Sequence, residues 1–152
     1  MRLLILSLFL ITFAGNAEAR KCYKPNEAEA EQGIRIHSEL MVIGLNCQHM
    51  TPAGWKNFYQ QYREITSRNQ GLIKEYESTL LSHYGGGAKK IHTLRTGFAN
   101  QISTSAARMR PDVFCANYAS RIPQVAQMSS AEIRQWAASA STTQKQSKPI
   151  CN

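Results

Sequence analysis

Four cysteines, Cys22, Cys47, Cys115 and Cys151, carry the most constrained chemistry in this chain. No two stand as C-x-x-C, and none pairs with a histidine at ligand spacing, so dithiol redox and zinc sites are not expected. Disulfide bonding remains, and four cysteines allow three pairings. The second candidate is Gly85-Gly86-Gly87-Ala88-Lys89-Lys90, followed by Arg95. Backbone N–H groups at a helix start bind anions, and two lysines add charge. A P-loop would need G-x-x-x-x-G-K-[ST] after a strand; here the spacing differs and a helix precedes. The plainer reading is a flexible helix-to-helix turn with solvated lysines.

The remaining chemistry is thin. His37, His49, His83 and His92 show no H-E-x-x-H pattern. His37 with Met41, and His49 beside Met50, could offer N and S to a soft metal such as Cu(I), but boundary histidines and core methionines explain them as well. Glu64, Glu75 and Glu77 could include a general acid for glycan cleavage, which needs two carboxylates across a cleft; a solvated helix face is the simpler account. There is no G-x-S-x-G nucleophile elbow and no C-x-x-C-H haem site. The aromatic residues, from Trp55 to Trp136, fall on helical stripes and read as core rather than base-stacking platforms. No catalytic set, no cofactor, no metal and no nucleic-acid partner is expected.

The elements that would position these residues begin after a leader. The chain has 152 residues with 18 Lys+Arg against 10 Asp+Glu. Residues 1–19 read as a signal peptide: Arg2, an apolar run from Leu3 to Ala14, and a small-residue ending Ala17-x-Ala19. Arg20 and Lys21 intervene before Cys22, which argues against a lipoprotein. Export to an oxidising space, periplasmic or extracellular, is expected, and no later apolar run approaches the ~20 residues of a membrane span.

Beyond the leader the dominant period is helical. Asn26, with acidic residues following, suits an N-cap. Ile36, Leu40, Ile43 and Cys47 form the first core-facing stripe. Thr51-Pro52 predicts the start of a long second helix running to about Ser82, weakened or bent at Gly71. The triple glycine turns the chain into a third helix ending before Pro111. A fourth segment begins at Phe114-Cys115, is expected to break at Pro123, and resumes at the capping box Ser129-x-x-Glu132. The expected fold is all-α, an antiparallel four-helix bundle with a broken last helix, spanning residues 20–140, with a polar tail at 141–152 pinned by Cys151.

That topology chooses among the cysteine pairings. Cys22 and Cys47 flank opposite ends of the first helix, ~30 Å apart, whereas a disulfide needs Cα atoms within about 7 Å. In an up-down-up-down bundle Cys47 shares one end with Cys115, and Cys22 shares the other with Cys151. Glu39-Leu40-Met41-Val42 with Cys47, the Tyr84-Gly85-Gly86 turn and Phe114-Cys115 resemble a group of short exported helical proteins from proteobacteria. The resemblance implies an exported, helical, disulfide-bonded chain and carries over no catalytic residue.

Charge completes the reading. From Arg20 to Tyr84 eight basic residues face seven acidic ones; from Gly85 onward nine face two. Such asymmetry suggests that the second half meets an acidic protein or an anionic envelope surface. Lys89, Lys90 and Arg95 are the first candidates. Arg108 and Arg110 rank lower, since a last helical turn favours positive charge anyway. A non-enzymatic envelope protein that binds an anionic partner fits best. A small periplasmic enzyme of unrecognised class and a secreted cationic membrane-active or host-directed effector are the alternatives.

Overall fold

The computed structural model describes residues 21–151. The leader expected over 1–19 lies outside the described residues. Seven α-helices follow in order: α1 Pro25–Cys47, α2 Phe58–Arg68, α3 Gln70–His83, α4 Ala88–Arg108, α5 Pro111–Tyr118, α6 Arg121–Gln127 and α7 Ser130–Thr143. A short 3₁₀ turn, Gln48–Met50, closes the first helix. The fold is all-α, and among the described residues a lone bridge between Tyr23 and Ile150 is the only β pairing.

The bundle is organised around α1, which packs against α2, α3, α4 and α7. Its sequence explains why. Ala28, Ala30, Ile34, Ile36, Leu40, Val42, Ile43 and Cys47 are all buried, so the apolar surface extends well beyond one stripe. A helix that is apolar around most of its girth must be covered on most sides. Leu72, Tyr76 and Leu80 of α3, Ile91, Phe98 and Ile102 of α4, and Ile133 and Ala137 of α7 supply that cover.

Several boundaries depart from the sequence expectations. Helix α1 starts at Pro25 with Lys24 as its N-cap, not Asn26. The Glu27 carboxylate reaches back to the Lys24 N–H at 2.7 Å, which fixes the start two residues earlier. Thr51-Pro52 does not open a helix. Thr51 instead donates to the Gln48 carbonyl and accepts the Phe58 N–H, bridging two elements. Asn57 is the true cap of α2, in a capping box with Gln60. The long helix expected to Ser82 is interrupted at Asn69, two residues before Gly71. Pro123 does not break the fourth segment; it sits in the first turn of α6, where its missing N–H is not required. The chain breaks earlier, at Ala119-Ser120.

The triple glycine behaves as expected of a helix stop. Gly85 and Gly86 adopt φ of 61° and 85°, a region glycine enters without a Cβ penalty. Their N–H groups return to the Ser82 and Leu81 carbonyls, a Schellman-like ending of α3. Both disulfides close as the topology required: Cys22–Cys151 with Cα atoms 5.1 Å apart and Cys47–Cys115 at 5.6 Å. They staple opposite ends of α1. No helix among the described residues is long and apolar enough to cross a membrane.

Candidate functional site

The polar chemistry of the molecule gathers at the Cys22–Cys151 end. Glu27, Glu31 and Arg35 recur every four residues and so share one side of α1, and Tyr23 precedes the helix at the same end. Glu27 is 5% and Glu31 0% exposed, although both end in carboxyl groups. What covers them is the chain after α7. From Lys145 to Cys151 it runs without helix, bends at Ser147-Lys148, and goes opposite in direction to α1. The Lys145 carbonyl accepts from Arg35, Gln146 accepts from Gln32, and the Ser147 N–H and hydroxyl both donate to Glu31. Lys148 reaches His83, and the Tyr23 backbone exchanges hydrogen bonds with Pro149 and Cys151, each 2.8 Å.

His83, 3% exposed at the end of α3, lies between Glu27 of α1 and Lys148 of the strap. Its Nε2 is 2.8 Å from the Lys148 ammonium, which can only donate, so Nε2 accepts. The proton then sits on Nδ1, 3.1 Å from the Glu27 carboxylate, in an oblique approach rather than an aligned hydrogen bond. Tyr23 and Tyr84 join through their hydroxyls at 2.6 Å, and their rings flank that of His83. Burial drives the Tyr23 phenol far above its ordinary range, so it stays protonated and donates. Burial also lowers the Lys148 ammonium, with nearby Lys90 acting in the same direction and Glu27 and Glu31 opposing. These groups hold the strap down.

Lys89 and Lys90 begin α4 beside this cluster, exposed and without an ion pair among the described residues. Lys148 stands over the Tyr84 ring at 4.8 Å, which brings strap and turn together. The N–H groups expected to be free after the glycines are largely engaged. Gly85, Gly86, Gly87, Ala88 and Lys90 all donate to carbonyls of the turn. An anion here would therefore meet lysine side chains more than backbone. Arg95 is placed differently: it is bound to Glu77 of α3 at 2.6 Å.

The other sequence candidates are dispersed. Glu64 pairs with Lys56, Glu75 with Arg134 and Glu77 with Arg95, each with a different cation. His37 Nε2 lies 3.1 Å from both Thr66 and Tyr62 hydroxyls, which leaves Met41 to the core. Burial first, and Arg95 second, lower the His37 imidazole to about 4. His49 and His92 are exposed. No group of three His, Cys, Asp or Glu among the described residues is arranged to hold a metal ion.

The charge asymmetry of the sequence is largely folded away. Arg121 pairs with Glu39, and Arg134 bridges Glu29 and Glu75, so second-half cations meet first-half carboxylates. The buried Glu27–Glu31 stripe was missed because acidic residues after a helix start read as surface charge. Its i, i+4 recurrence with Tyr23 and Arg35 was the available signal.

The fold and site define a disulfide-stapled all-α bundle whose C-terminal strap closes a buried polar stripe. No protein-family model, curated protein or solved structure matches the chain.

Proposed function

We propose that this chain is an exported helical envelope protein, acting in the periplasm or outside the cell, that binds an anionic partner or surface without catalysing a reaction. One observation carries the reading. Most second-half arginines are already neutralised by first-half carboxylates, whereas Lys89 and Lys90 stay exposed beside Lys148 with no ion pair among the described residues. Two disulfides suit an oxidising compartment. Unpaired lysines clustered on one end contribute contact energy with an acidic protein or surface, on the order of 1 kcal/mol each. That energy is screened over ~8–10 Å at 0.1–0.15 M salt.

The test is a pull-down from envelope extract at low and high salt, with the parent and with Lys89→Gln/Lys90→Gln. The substitution should leave stability within ~0.5 kcal/mol, as for ordinary surface positions. Capture should weaken about thirtyfold and its salt dependence flatten. Unchanged capture, or no salt-sensitive partner, would reduce the lysines to a solvated face.

A further inference from the structure

The opposite end of the bundle, closed by Cys47–Cys115, has a different surface. Six large apolar residues are exposed among the described residues, and four of them, Leu45, Met50, Trp55 and Val113, belong to segments meeting at this end. Trp55 is 63% exposed. It is not on a loose loop. Its N–H returns to the Pro52 carbonyl at 3.2 Å, across a turn with Gly54 at φ 81°. Next to it, the Lys56 carbonyl accepts from Gln61 and the Lys56 ammonium is fixed 2.5 Å from Glu64. Thr51 ties the near side of the loop to α2, and Asn57 caps that helix on the far side. The turn that carries this tryptophan is anchored through its backbone, so the loop has little conformational freedom to lose on binding.

The charge around the tip is one-sided. The two carboxylates here, Glu64 and Asp112, are each engaged, by Lys56 and Arg110. Arg63 on α2 and Arg108 in the last turn of α4 are exposed with no ion pair among the described residues. A shallow depression of about 470 Å³ on α2, lined by Lys56, Gln60, Arg63, Glu64 and Ser67, lies beside the turn.

From this arrangement we infer that the Trp55 tip is a peripheral attachment site for an anionic phospholipid bilayer. Trp55 and Met50 enter the interfacial layer, and Arg63 and Arg108 meet lipid phosphates. An exposed turn with an apolar residue, on an end that also carries exposed cations, suits a fluid surface, which closes around it. Tryptophan favours this depth because its ring is apolar and its N–H polar. Apolar insertion and attraction to anionic lipid add, as for interfacial amphipathic segments. The 23 residues of α1 separate the two ends by ~35 Å. Lys89 and Lys90 therefore stand several Debye lengths from the bilayer and stay available to another partner.

The experiment uses two readouts on the disulfide-bonded protein. Flotation with phosphatidylglycerol vesicles and with phosphatidylcholine vesicles measures binding of the parent and of Trp55→Ser. Fluorescence of Trp136→Phe, in which Trp55 is the remaining tryptophan, reports the depth of the ring. Binding to phosphatidylglycerol, weakened by salt, with a blue shift of Trp55 emission, is expected. Trp55→Ser should lower that binding about tenfold, the equivalent of ~1.4 kcal/mol. An unmoved Trp55 emission, or Trp55→Ser floating like the parent, overturns the inference. Capture by an acidic protein that needs Trp55, without vesicle binding, overturns the bilayer assignment as well.

Discussion

Gly33 of α1 lies directly under the ring of Tyr76 on α3: a Cβ built at residue 33 would fall 2.1 Å from Tyr76 Cε2. The two helices approach this closely only because residue 33 has no side chain. Gly33→Ala should therefore destabilise the fold by roughly 1–3 kcal/mol, as overpacking does, even though alanine is the better helix former by ~1 kcal/mol. Gly97, in the exposed middle of α4, has nothing within 4 Å of the same added atom. There Gly97→Ala should stabilise by ~0.5–1 kcal/mol. Urea titration of both variants checks the pair, and like signs would contradict the packing described.

Glu31 is buried completely and accepts two hydrogen bonds from Ser147, with Arg35 4.0 Å away. Glu31→Gln keeps the shape but removes the charge that strengthens those bonds. Hydrogen bonds to a charged partner contribute ~1.5–3 kcal/mol, so the substitution should cost about 2 kcal/mol. It should also speed hydrogen exchange at the Ser147 amide. Exchange as slow as in the parent would show that the strap does not depend on this carboxylate.

The parts of the fold legible in the sequence are those set by local chemistry or by topology. The glycine stop, the Ser129–Glu132 box and the pairing of cysteines at opposite bundle ends are of this kind. The interruption at Asn69 was not legible, because a distant element makes it. Asn69 is 4% exposed, its amide donates to the Ile65 carbonyl, and its oxygen accepts from Ser130 of α7. No local window contains Ser130. The charge pattern misled for the same reason, since Arg134 and Glu75 adjoin only after folding. The buried stripe on α1 was hidden because the strap that covers it follows about 115 residues later in the chain.

His37 couples stability to pH. Its imidazole is lowered by burial, and by Arg95, from 6.5 to about 4. The unfolded chain therefore binds a proton that the folded one refuses, so the folded state loses stability as pH falls from 6.5 towards 4. At ~1.4 kcal/mol for each pH unit, the effect is on the order of 2–3 kcal/mol. Glu39 works against it, because burial raises its carboxyl above the usual value despite Arg121 and Arg35. The comparison must therefore be with His37→Gln, which retains a polar partner for Thr66 and Tyr62. Between pH 6.5 and 4 the parent should lose more denaturation free energy than the variant. Parallel curves would show that His37 is protonated as easily in the folded chain as in the unfolded one.

The two disulfides do different work, and protease can tell them apart. Cys22–Cys151 and Cys47–Cys115 close sequence separations of 129 and 68 residues. Restriction of the unfolded chain depends only logarithmically on loop length, so the two should contribute alike, ~2–4 kcal/mol each. Their local consequences differ. Cys47–Cys115 joins α1 to α5, with both sulfurs inside the core. Cys22–Cys151 anchors a strap that is otherwise held by side-chain hydrogen bonds and a single β bridge. With Cys22→Ser/Cys151→Ser the strap should open without unfolding the bundle, because the core residues of α1 to α7 remain packed. Trypsin would then cut after Lys145 much faster, while Lys148, which precedes Pro149, stays resistant. Helical circular dichroism should persist during that cut. Cys47→Ser/Cys115→Ser should lower the unfolding midpoint by a similar amount without selectively exposing Lys145. Equal cleavage rates after Lys145 in the two variants would mean that the strap opens only when the whole fold does.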